Sequence, residues 1–105
     1  MTKLMIRQFG GSDIAEVSQD TAGRLQLTVL VPELEKELRA LLARLSAGPL
    51  PLRTGRRVET PKGAAHQTIV RQVSPTDPDF LGALSDALTR ERVGGRRVRG
   101  VLMEE

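Results

Sequence analysis

Pro32-Glu33-Leu34-Glu35-Lys36-Glu37-Leu38-Arg39-Ala40-Leu41-Leu42-Ala43-Arg44-Leu45 is the stretch on which the reading of this chain turns. Leu34, Leu38, Leu41, Leu42 and Leu45 recur at helical spacing and fall on one face of a 3.6-residue helix. Each leucine is worth roughly 1.5–3 kcal/mol when buried, before chain entropy is charged. The remainder of the sequence must therefore supply a surface for the stripe. Pro32 suits a first helical position. Glu33, Glu35 and Glu37 complement the positive end of the helix dipole, while Arg39 and Arg44 lie further along. Gly48 followed by Pro49 predicts a glycine cap and a stop.

Upstream of this helix, Leu25, Leu27, Val29 and Val31 alternate with Arg24, Gln26 and Thr28, the pattern of a half-buried strand. Gln19 to Gly23 reads as a turn. Ile14 to Val17 is a short candidate strand, and Lys3 to Gln8 is the first, ended by Gly10 and Gly11. Downstream, periodicity disappears from Ser46 to Gln67, where Gly48, Pro49, Pro51, Gly55, Pro61 and Gly63 are interspersed with basic residues. This reads as a long loop, with a short strand around Arg57 to Thr60. A strand resumes at Ile69 to Val73. Asp77 is the expected N-cap and Pro78 the first residue of a second helix, whose apolar face is Phe80, Leu81, Leu84, Ala87 and Leu88. Gly94-Gly95 should stop that helix, and Arg97 to Met103 should form the last strand.

From Arg24 onward the order is strand, helix, strand, strand, helix, strand. The expectation is an α+β domain spanning residues 1–105, with two helices on one face of a mainly antiparallel sheet. That is the ferredoxin-like (βαββαβ) arrangement, with an extra N-terminal strand or hairpin.

The composition excludes more than it selects. The chain has no Cys, Trp or Tyr and only two Phe, which rules out disulfides, thiolate metal sites and cysteine nucleophiles. No charged segment leads into an apolar one, and no apolar run approaches the length of a membrane span. The expected location is the cytoplasm, without membrane contact. The net charge of +3 is ordinary for a soluble domain.

Arg90, Arg92, Arg96, Arg97 and Arg99 form the densest charge cluster, with Gly94 and Gly95 among them. Arginine forks match phosphate, but charge at a helix end and on an edge strand also has a plainer use in solubility and in blocking unwanted pairing. Familiar nucleic-acid modes stack bases on aromatics, which this sheet lacks. Acids occupy both helix N-termini and would repel phosphate there. His66 is the only histidine, and with Lys62 it is the only catalytic candidate worth naming. It lacks acidic neighbours in sequence, and Lys62-Gly63 lacks the upstream glycine of a phosphate loop. No catalytic residue, cofactor or metal ligand is assigned.

Three functional classes follow, in this order. The first is a small interaction or structural domain binding a protein partner or a second copy, with Met5, Phe9 and Leu30 as the self-association patch. The second is an electrostatic nucleic-acid binder using Arg53, Arg56, Arg57, Arg96, Arg97 and Arg99. The third is an enzyme. The arrangement of the arginines discriminates between the first two: one continuous face favours nucleic acid, and scatter favours interaction.

Overall fold

The computed structural model describes residues 2–104. Seven strands and two helices follow in the order β1 (Thr2–Gln8), β2 (Asp13–Gln19), β3 (Leu25–Val29), α1 (Glu35–Leu45), β4 (Leu50–Thr60), β5 (Gly63–Val73), α2 (Phe80–Leu88), β6 (Arg92–Val93) and β7 (Arg96–Glu104). Five strands form a curled antiparallel sheet, a half-barrel, in the order β3-β2-β1-β7-β6. β4 and β5 pair only with each other.

The ferredoxin-like α+β expectation is therefore overturned. The N-terminal strands are not an addition to the sheet but its centre, since β1 lies between β2 and β7. The physical reason is the apolar alternation. Leu4 and Ile6 of β1 stand opposite Val17 and Ala15 of β2, and all four are buried. The middle strands expected of a ferredoxin sheet are β4 and β5, which carry no buried side chain except Val73. A strand without an apolar face gains nothing from docking into a sheet. The region expected to be a loop, Ser46 to Gln67, instead holds all of β4 and the start of β5.

Both helices fill the concave side of the sheet. Phe80, Leu81, Ala83, Leu84 and Leu88 of α2 are buried, as are Leu38 and Leu41 of α1. Leu34, Leu42 and Leu45 are half-buried against the same core. α2 lies so close to β7 that a Cβ at Gly100 would sit 2.7 Å from Leu4 Cδ1 and 3.0 Å from Ser85 Cα. α1 reaches the far edge of the sheet, where the Glu37 carboxylate accepts the Gly94 N–H at 2.9 Å. Arg44 Nη2 also donates to Glu91 at 2.8 Å. Glu37 thus ties the helix to the β6–β7 turn, beyond any role in the helix dipole.

Three local expectations are also revised. Pro32–Leu34 is a 3-10 turn preceding α1. That helix ends at Ser46, whose N–H and hydroxyl both bond to Leu42 O, and Gly48 is not left-handed. α2 begins at Phe80 rather than Pro78, because Asp77 Oδ1 takes the Asp79 N–H in a local turn. Gly94 and Gly95, with φ of 61° and 75°, do not stop α2, which already ends at Leu88. They form the two-residue β6–β7 hairpin turn, which requires positive φ at both positions. Among the described residues, no helix is long and apolar enough to cross a membrane.

Candidate nucleic-acid interface

The arginines predicted as contacts fall into two groups on different elements. Arg53, Arg56 and Arg57 lie on β4, and Arg96, Arg97 and Arg99 on β7. Within the second group the antiparallel register builds a defined surface. Arg97 stands directly opposite Arg92, and Arg99 opposite Arg7. Gln8 pairs with Val98, and the next residue, Phe9, donates its N–H to Arg97 O at 2.7 Å. Phe9, just past the end of β1, therefore forms one row with Arg97 of β7 and Arg92 of β6, and Arg7 and Arg99 form the adjacent row.

These side chains share the outer face of the sheet, opposite the one covered by helices. Alternation sends Val98 into the core and leaves Arg97 and Arg99 outside. Phe9 is 73% exposed. It borders a recess of about 320 Å³ with Arg7, Gln8, Gly10, Gly11 and Arg99. Arg96 has the opposite parity and lies at the rim, with Nη1 3.9 Å from where a Gly11 Cβ would stand.

The charge here is uncompensated. Most arginines elsewhere have acids: Arg39 with Glu35, Arg44 with Glu91, Arg53 with Asp86, and Arg71 with Asp77 and Asp79. Among the described residues, the side chains of Arg90, Arg92, Arg96, Arg97 and Arg99 have no hydrogen bond or ion pair. The nearby acids are engaged elsewhere, Glu91 with Arg44, Glu37 with Gly94 N–H and Asp13 with Arg7. Like charges directly opposite one another on paired strands destabilise the sheet, so the Arg92–Arg97 opposition is a local cost without a structural return.

The remaining candidates are more dispersed. Met5 lies on the outer face between Glu16 and Val101, while Leu30 is exposed just beyond β3. The Arg7–Asp13 ion pair separates the Met5 row from the Phe9 row, so Met5, Phe9 and Leu30 do not form one apolar patch. Lys62 occupies the β4–β5 turn, and His66 stands opposite Arg57 on an exposed ribbon. Among the described residues, no three His, Asp or Glu side chains gather as a metal site would require. Another recess, about 420 Å³, is lined by Thr2, Gln19 to Gly23, Thr76, Pro78 and Leu81. Its carboxylate, Asp20, already accepts the Ala22 and Arg24 N–H groups at 2.9 Å.

Sequence reading placed Phe9 and the arginines in separate hypotheses. Only the β1–β7 register joins them. Comparison with protein-family models, curated proteins and solved structures gives no match for this chain.

Proposed function

We propose that this protein binds single-stranded nucleic acid on the outer face of its sheet. The observation that supports this most is the row of Phe9, Arg97 and Arg92 beside Arg99, an exposed aromatic ring among unpaired arginines. A base stacks on an aromatic face irrespective of its identity, and the guanidinium groups neutralise the adjoining phosphates. A single ring holds a single base, so the binding is sequence-tolerant. The missing aromatic platform weighed against nucleic acid in the sequence, but one ring suffices when cations surround it.

Fluorescence anisotropy with a labelled oligothymidine tests the reading. Binding should weaken with salt, and Arg92→Ala, Arg97→Ala and Arg99→Ala should each reduce the log–log slope by about 0.7. Phe9→Ala should cost about 1–3 kcal/mol. Because the chain has no Trp or Tyr, Phe9→Trp supplies a lone fluorophore that a stacked base would quench. No binding at about 50 mM salt, or arginine variants that bind like the parent, would remove the proposal.

A second reading, self-association, draws support from Met5, Val101 and Met103 on the same outer face, with Lys3–Glu16 and Arg7–Asp13 offering both signs of charge to a second copy. Sedimentation at micromolar concentration decides it, since a monomer unchanged on concentration excludes that reading.

A further inference from the structure

Open strand edges are where chains pair, and folded proteins blunt them with charge, proline or shortness. β6, at one end of the five-stranded sheet, is two residues long and carries Arg92. The β4–β5 hairpin, exposed for most of its length, is an arm paired only with itself, and Arg53, Arg56, Arg57, Glu59 and Arg71 charge its strands. β3, at the other end of the sheet, has no such protection. Leu25–Val29 contains no charged residue, proline or glycine, and it pairs with β2 in unbroken register.

The bonds to β2 fix the direction of the remaining backbone groups. Asp20 donates its N–H to Arg24 O, and Leu30 donates its N–H to Ile14 O, each at 2.9 Å. Bonded and non-bonded residues alternate along an antiparallel pair, so Gln26 and Thr28 also bond to β2. Leu25, Leu27 and Val29 therefore turn their N–H and C=O groups away from the sheet, where no strand pairs with them among the described residues. Their side chains are half-buried against the core. Leu25 and Leu27 also share a recess of about 250 Å³ with Arg39, Leu42 and Ala43 of α1. On the outer side Gln26, Thr28 and Leu30 are exposed, Leu30 at 47%.

We propose that β3 pairs with β3 of a second copy about a twofold axis through Leu27, joining the two sheets into one. The strand's own register selects this occupant. With Leu27 on the axis, Leu25 stands opposite the partner's Val29, and every outward N–H and C=O of Leu25, Leu27 and Val29 gains a bond. Apolar side chains meet apolar ones on the concave side, and Gln26 meets the partner's Thr28 on the outer side. No like charges oppose each other, although each copy carries +3. One step further out, Arg24 stands opposite the partner's Leu30, and its aliphatic stem covers that exposed side chain. An axis through Gln26 or Thr28 is excluded, because their groups are committed to β2. The twofold pairing consumes the edge and closes at two copies. It is independent of the single-strand reading, since β2 separates β3 from β1 and leaves Phe9 open.

Sedimentation equilibrium of the full chain from about 1 μM to about 1 mM reads the association, and hydrogen exchange at both ends of that range reads the ladder. The parent should pass from one chain mass to two. At the high concentration the amides of Leu25, Leu27 and Val29 should slow at least about tenfold, and those of Gln26 and Thr28 far less. The double variant Gln26→Lys, Thr28→Lys, at two exposed positions, sets lysine against lysine across the axis and should stay monomeric. Met5→Lys, on the outer face, should associate as the parent does. A parent that stays monomeric would overturn the second copy and leave the edge to a strand of another protein. A dimer that survives in the lysine double variant, or is lost in Met5→Lys, would also overturn it, the latter by moving the interface to the outer face. Should the double variant not fold, exchange in the parent decides alone: Leu25, Leu27 and Val29 amides equally fast at both concentrations would contradict the pairing.

Discussion

The β1–β2 and β4–β5 hairpins are both antiparallel, yet they are opposites in what holds them. Leu4, Ile6, Ile14, Ala15 and Val17 of the first are buried, and its strands form the centre of the sheet. The second has longer strands, eleven residues each, and only Val73 is buried. Its ladder is complete, so backbone pairing alone does not distinguish the two. The difference lies in burial, which supplies most of the stability of a fold. A two-stranded ribbon is marginal alone, and this one is fastened at its base by three ion pairs and three apolar side chains. The body is therefore shaped by packing and the arm by its charge. The outer face of the body resembles the arm in one respect, because Arg92, Arg97 and Arg99 there, like Arg56 on the arm, have no ion pair among the described residues.

The comparison can be broken by substitution. Phe80→Ala removes a fully buried ring and should destabilise the fold by about 3–5 kcal/mol. Leu41→Ala, nearly as buried, should cost roughly 2–5 kcal/mol. Ile69→Ala on the arm should change stability by no more than about 0.5 kcal/mol. Chemical denaturation of the three variants checks this, and a large loss at Ile69 would show that the arm packs on the body.

Gly100→Ala should cost about 1–3 kcal/mol by overpacking, because its Cβ would press on Leu4 and the backbone of Ser85. Arg97→Glu should do the reverse. It replaces a like-charge opposition with an attractive one and should stabilise the protein by roughly 0.2–1 kcal/mol, while weakening oligothymidine binding. Unchanged or lower stability would mean that Arg92 and Arg97 do not face one another. Hydrogen exchange sharpens the contrast without mutation, since amides of residues 54–69 should exchange faster than those of β1 and β2.

Much of the body was legible in the sequence. Alternation at Leu25, Leu27 and Val29 and helical spacing from Leu38 to Leu45 located β3 and α1, because burial on one face leaves a period. β4 and β5 left only fragments, Arg57 to Thr60 at the end of one and Ile69 to Val73 at the end of the other. Arg53 and Arg56 beside Gly55 read as loop because an arm exposed on both faces has no apolar side to reveal it. Topology was illegible for a related reason. Strand order depends on which apolar faces meet, and β1, with only Leu4 and Ile6 buried, gave no sign that it would sit between β2 and β7. The candidate site was half legible. The arginine cluster stood out, but Phe9 joined it only through pairing with β7, some ninety residues away.

The central claim is that unpaired arginines and an exposed ring on the outer face bind nucleic acid. A two-dimensional ¹H–¹⁵N spectrum titrated with oligothymidine at low salt tests it most directly, because it reports on every part of the molecule at once. The account predicts saturable shifts at Phe9, Gly10, Gly11, Arg92, Arg97 and Arg99, with the arm unmoved. A spectrum that does not change, or one in which shifts fall elsewhere and spare Phe9 and Arg97, would contradict it.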